Sequence, residues 1–265
     1  MISPTKFAMT AALVGAMAML PATRAWALTE SQAMERLNGV PVFTITDAQG
    51  TPLLGTLPKP QGQGNANQPE QLMLFFLNPA DAETTLGQIR QRTPDVGGRA
   101  RVTVISMNDA YKAIEQNKNN KKVGFQIVPS QASLDSAKQV LTANGRPNDR
   151  LPTVPVFFAV GGQGNNQGML TLEQGGKQLV PFFFERSDLQ TTLDRARQGQ
   201  PQVAQNAKIQ VTSLFQVLDA MVSKDNKPNP DAERFTFIPG RSAVEFVARQ
   251  QPNPPAGGTP AQPRR

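Results

Sequence analysis

Reactive side chains are sparse in this chain. It contains no Cys and no His. Disulfides, thiol chemistry and thiolate metal sites are therefore excluded, and the commonest general base and metal ligand is missing. Most hydrolases, zinc sites and catalytic triads fall with them. Carboxylate and Ser/Lys chemistry remains, and its best candidates come in pairs: Asp81 with Asp188, and Thr84-Thr85 with Thr191-Thr192. They read either as paired groups around a pseudo-twofold axis or as first-turn helix residues complementing the dipole; the second reading is favoured. Arg90 and Arg197 read as helix-end charges. Gly161-Gly-Gln-Gly164 and Gly62-Gln-Gly64 do not lead into a helix, as a phosphate loop must.

The pairs arise from an internal repeat. Leu72–Arg90 aligns without a gap on Leu179–Arg197 and shares Leu72/Leu179, Phe75/Phe182, Phe76/Phe183, Leu86/Leu193 and the polar pairs above. Ala100–Ser106 matches Ala207–Ser213, Phe125–Pro129 matches Phe235–Pro239, and Val40–Phe43 matches Val154–Phe157. The unit is roughly one hundred residues, far longer than a solenoid repeat. Two copies imply one pseudo-symmetric body or two fused half-domains.

The elements that position these residues follow from periodicity and punctuation. Residues 1–27 read as a cleaved secretory signal: Lys6, an apolar run from Phe7 to Leu20, and Ala25-Trp-Ala27 as a small-x-small site. The run is too short to span a bilayer, and no other segment is long enough, so no integral membrane segment is expected after cleavage. Residues 28–38 favour a helix ended by Gly39. Unit one, 39–144, reads as strand 40–46, a hairpin return at 51–54, a loop at 58–69, strand 72–77, helix 80–92, strand 100–105, a helix capped by Ser106, strand 123–128 and helix 131–143 with Asn144-Gly145 as C-cap. Unit two, 153–250, repeats the order: strand 154–160, loop 161–168, a hairpin through 169–173 and 178–184, helix 188–198, loop 200–205, strand 207–211, a helix capped by Ser213, loop 224–232, strand 235–238 and a helix capped by Ser242. Residues 251–265 read as a disordered tail. Strands mixed with helices give an α/β fold, a pseudo-symmetric body of two repeated strand–helix units with mixed sheet.

Removal of Lys6 and Arg24 with the signal lowers the formal charge from +7 to +5. The densest cationic cluster is Lys118, Lys121 and Lys122 in an Asn-rich loop. It is either a solvated loop, which is favoured, or a docking patch for an acidic partner or a membrane surface. No aromatic residues interleave with it as nucleic-acid binding requires. The apolar strands carry more information. Met73-Leu-Phe-Phe-Leu77 and Phe182-Phe-Phe184 are apolar on both faces and must be covered on both. Complete cover makes them core, which the sequence favours; incomplete cover leaves a groove for an apolar partner segment. Met73, Phe75, Leu77, Phe182 and Phe184 are the groove candidates.

Gly39-Val-Pro-Val-Phe-Thr-Ile-Thr-Asp-Ala-Gln-Gly-Thr-Pro-Leu53, the Val180-Pro-Phe-Phe-Phe184 strand with its helix, and the Phe-Ile-Pro element near the C-terminus resemble the Tic-twenty-two family. Its members are the soluble component of the chloroplast protein-import translocon and cyanobacterial relatives. The similarity covers nearly all of residues 35–250. It implies a pseudo-symmetric α/β body with hydrophobic pockets on its faces, no active site, no cofactor, and a chaperone-like role toward unfolded client proteins. It also implies a periplasmic or thylakoid-lumen protein linked to outer-membrane biogenesis through the barrel-assembly protein of that membrane. The alternative compartment is the intermembrane space of the plastid envelope, and the alternative role is a docking scaffold without client binding.

Overall fold

The computed structural model describes residues 28–56, 70–162, 168–199, 206–222 and 231–250. The expected signal, the tail after 250, and all or most of the loops at 58–69, 161–168, 200–205 and 224–232 lie outside the described residues.

Helix α1 (Glu30–Glu35) is shorter than expected, because residues 36–39 continue as turns. A reciprocal capping box starts it: Thr29 Oγ1 accepts from the Gln32 N–H, and Gln32 Oε1 from the Thr29 N–H. Strands β1 (Pro41–Thr46), β2 (Gly55–Thr56) and β3 (Gln71–Phe76) follow, then α2 (Pro79–Arg92), α3 (Pro94–Gly97), β4 (Arg101–Ser106), α4 (Met107–Asn117), β5 (Val123–Val128) and α5 (Gln131–Ala143). The second half holds β6 (Pro155–Gly161), β7 (Gly168–Met169), β8 (Leu172–Gln174), β9 (Lys177–Phe183), α6 (Arg186–Gly199), β10 (Lys208–Ser213), α7 (Leu214–Val222), β11 (Phe235–Ile238) and α8 (Arg241–Gln250). The hairpin return at 51–54 reduces to one bridge, Thr46 with Pro52, and the paired strand comes later at β2. Asp47 holds this turn by accepting the Gln49 and Thr51 N–H groups.

Two mixed sheets result. The first runs β4-β1-β3-β5, with β1 antiparallel to β4 and β3, and β3 parallel to β5; β2 pairs with the start of β3. The second runs β10-β6-β9-β11 with the same three senses, and the short strands β7 and β8 pair with β6 and β9. Pro41 and Pro155 open their strands, where a missing N–H is tolerated.

Three apolar clusters hold the layers together. The largest joins inward residues of both sheets, Val42, Phe75, Val156 and Phe182 among them, to α1, α4 and α7. Alternation sends Phe43 and Ile45 to the opposite face of the first sheet, where they meet Ala82 and Leu86 of α2. Leu189 and Leu193 of α6 cover the outer face of the second sheet through Phe157 and Phe183. The last helix of each half crosses over. Ala137, Val140 and Leu141 of α5 pack on the second sheet, and Ala243 and Phe246 of α8 pack on the first. Phe246 meets Phe43 edge to face at 5.1 Å. Residues 39–144 and 153–250 therefore do not pack as separate bodies.

The crossover is fastened at the β9–α6 turn. Ser130, the N-cap of α5, accepts from the Ser133 N–H and donates to Glu185 Oε1 at 3.0 Å. Ser133 Oγ donates to the Phe184 carbonyl. Asp188 does more than complement its own helix: its Oδ2 accepts the Arg241 N–H at 2.9 Å and so caps α8 from outside. Helix α8 accordingly begins at Arg241, with the Gly240 carbonyl accepting from Ala243 and Val244. Ser242 lies inside the first turn, which corrects its expected role as N-cap.

Burial raises the pKa of Glu185; the Ser130 hydrogen bond opposes this, and the neighbouring Asp188 and Asp81 carboxylates add to it. The folded state then takes up the proton more readily than the unfolded chain. The stability from that proton is complete below the unfolded pKa and is lost as pH rises through the folded one. Glu185→Gln keeps an acceptor for Ser130 without the charge. Its melting temperature should exceed that of the parent near neutral pH, and the gap should close as pH falls toward about 4.5. A gap that does not change with pH in thermal melts refutes this.

Candidate functional site: an apolar pocket on each outer face

Strand β3 shows how the site forms. Its alternating side chains face two environments. Met73, Phe75 and, just beyond the strand, Leu77 point to the shared core. Leu72, Leu74 and Phe76 point outward beneath α2. Asn78 caps that helix by accepting the Ala80 N–H, and Pro79 occupies its first position. Ala82 and Leu86 bury the first half of α2 on the sheet. A pocket of about 600 Å³ remains between its second half and the β2–β3 edge. Its base is Leu72, Leu74 and Phe76; Thr85 and Ile89 line it from the helix, and Leu53 and Leu54 from the opposite side. Val96 is half exposed at the same site.

The second sheet carries a counterpart of about 400 Å³. Pro181 and Phe183 of β9 form its base, Leu193 and Ala196 come from α6, and Leu170 and Leu172 from the hairpin. Leu74/Pro181, Phe76/Phe183, Thr85/Thr192 and Ile89/Ala196 occupy matching places in the repeat. The threonines are not free hydroxyls for chemistry. Thr85 Oγ1 donates to the Asp81 carbonyl and Thr192 Oγ1 to the Asp188 carbonyl, each within its own helix. The charged lining differs: Arg92 in the first pocket, Glu173 in the second. Such pockets suit apolar side chains with a few polar groups at the edge.

The structure places the groove candidates read from the sequence against the shared core. Phe75, Phe182 and Phe184 are buried in the shared core, and Met73 and Leu77 are half-buried against it. Phe182 is ringed by Phe158, Phe235 and Phe237 at centroid distances of 5.5, 5.1 and 6.0 Å. On the opposite strand face Leu72 and Leu74 are half-buried at the first pocket, while Phe76, Pro181 and Phe183 are buried as well. Lys118, Lys121 and Lys122 are exposed at the α4–β5 turn and line neither pocket. Lys118 pairs with Glu115 at 3.0 Å, and the Lys122 carbonyl accepts the Glu70 and Gln71 N–H groups. Arg90 donates to the carbonyls of Gly97 and Ala100 and so closes the α2–β4 connection. Among the described residues, no group of three or more Asp and Glu could hold a metal ion, and no helix is long and apolar enough to cross a membrane.

The sequence profile of the Tic22-like family matches residues 3–249, a span that includes both sheets and both pockets. The chain belongs to the Tic22-like family. The chloroplast protein TIC 22 of pea (Pisum sativum) is 23% identical over 212 residues, which are 80% of this chain and 74% of that protein. The structure of Anabaena Tic22, described as a protein of protein transport, superposes with a TM-score of 0.67 at 23% identity, over 86% of this chain and 100% of that one. Tic22 from Plasmodium falciparum superposes at 0.61 with 21% identity, over 82% of this chain and 96% of that one. These two likenesses show that the fold is shared.

Core and pocket positions should respond differently to substitution. Phe75→Ala should lower stability by about 3–5 kcal/mol. Ile89→Gln, at the partly open pocket, should cost less than about 1 kcal/mol and reduce binding of an apolar fluorescent dye. Denaturant unfolding beside dye titration checks both; equal destabilisation would make the pocket as much core as Phe75.

Proposed function

We propose that this protein is a non-enzymatic factor of protein transport that holds apolar segments of unfolded client proteins in its two outer pockets. The observation that carries this is the recurrence of an apolar pocket at matching positions of the repeat, under α2 and under α6. Each pocket has the size of a ligand site and combines an apolar base with polar side chains in its walls, Gln88 and Arg92 in the first, Glu173 and Gln178 in the second. The transport description of the Anabaena relative supports the same reading. The matching strand order of the two sheets, with the repeat, supports a pseudo-symmetric two-repeat body. Two pockets on one rigid body engage two segments of the same client, and the second binding event then proceeds at a high effective concentration.

On this reading the protein acts in an aqueous extracytoplasmic compartment, the periplasm or the thylakoid lumen; of the two, the periplasm is the space that unfolded outer-membrane barrels cross. Barrel chains, and the periplasmic domains of the barrel-assembly protein that receives them, are the partners we assign. The mature protein should suppress aggregation of a denatured outer-membrane barrel on dilution. Ile89→Gln combined with Ala196→Gln should lose most of that suppression while melting as a folded protein. Full suppression by the double variant would remove the pockets from the mechanism. No suppression by the parent protein would favour a scaffold that docks through exposed cations such as Lys121 and Lys122.

A further inference from the structure

A different kind of pocket, of about 740 Å³, opens between α5, α6 and the strands β6 and β10. Four cations line it, Arg146, Arg186, Arg197 and Lys208, and no Asp or Glu does. Two of the four are already balanced. Arg146 pairs with Asp149 and Arg197 with Asp194, each at 2.6 Å. The side chains of Arg186 and Lys208 make no hydrogen bond or ion pair among the described residues. Arg186 Nε is buried without a partner. A buried donor left unmade is costly and requires an explanation. Its position adds to the cost, because Arg186 is the first residue of α6 and the helix dipole disfavours a cation there. Val140, Leu193 and Ile209 supply apolar surface to the same pocket.

We propose that this pocket binds a phosphate monoester whose organic part is apolar. The surplus of two unpaired cations matches the charge of a phosphate monoester, about −1.5 to −2 at neutral pH. Guanidinium groups present planar pairs of N–H donors to phosphate oxygens, and Arg186 and Lys208 in the lining carry charge that no carboxylate of the pocket offsets. The apolar side chains take the organic part. The site is independent of the two client pockets: Leu193, of α6, is the one residue it shares with the lining of the second.

Calorimetric titration of the mature protein with phenyl phosphate should give saturable binding at one site. Phenyl sulfate, a monoanion of the same shape, should bind more weakly. Arg186→Gln and Lys208→Gln should each weaken phenyl phosphate binding by roughly tenfold or more, with thermal melts no lower than the parent's, and Lys121→Gln should leave it unaltered. Absence of saturable binding, or equal loss in Lys121→Gln, overturns the proposal. Flotation with phosphatidate-containing vesicles separates the two sources of the group. Flotation that phenyl phosphate competes away assigns a lipid headgroup; phenyl phosphate binding without flotation assigns a soluble ester.

Discussion

Four apolar sheet faces have to be kept from water by one chain. Each sheet is built from strands such as β3 and β9 that carry large side chains on both sides, so neither sheet can leave a face bare. The two inner faces solve this together, by sharing α1, α4 and α7 in one cluster. The two outer faces have only two long helices each, α2 with α8 on one and α5 with α6 on the other. Cover is complete where Ala82, Leu86, Phe246 or Leu189 reaches the sheet. It is incomplete toward the edge strands β2 and β8, and that shortfall is where both apolar pockets lie.

Much of this organisation was legible in the sequence, for identifiable reasons. The repeat exposed the order of elements. Asn78-Pro79, Ser106 and Asn144-Gly145 mark helix ends by local chemistry, and helices begin or stop there. Val42 and Phe43 face opposite sides, as alternation requires. Contacts made by residues far apart in the chain were not legible. Nothing local to Ser242 announces that Asp188 caps the helix one residue earlier. A strand apolar on both faces gives no sign of which face meets the shared core, so Phe75 and Phe182 could not be told from Phe76 and Phe183. One clue was available: Thr85 and Thr192 recur one helical turn from Ile89 and Ala196, and both line the pockets. The cationic pocket draws on 139–146, 186–197 and 207–210, and no single stretch displays it.

Charge is treated in two ways at the start of α6. Glu185, just before it, is a partly buried carboxylate beside Asp81 and Asp188, a strained arrangement held by Ser130 and by the helix starts that converge there. Arg186, the next residue, sends its charge the other way, toward a pocket with no carboxylate in its lining. Neighbours in sequence thus serve a structural fastening and a proposed ligand site on separate sides of the same turn. Folding alone has little use for both, since uncompensated charge near a sheet edge lowers stability.

The exchanged helices bear on how the chain is made. The outer face of the first sheet, with Phe43 and Phe76, lacks half its cover until Ala243 and Phe246 have been synthesised. Synthesis proceeds at about 5–20 residues per second, so this surface is exposed for on the order of ten seconds or more. A domain that finishes early could leave its leading half to fold alone; this one has its first sheet wait for the last helix of the described residues.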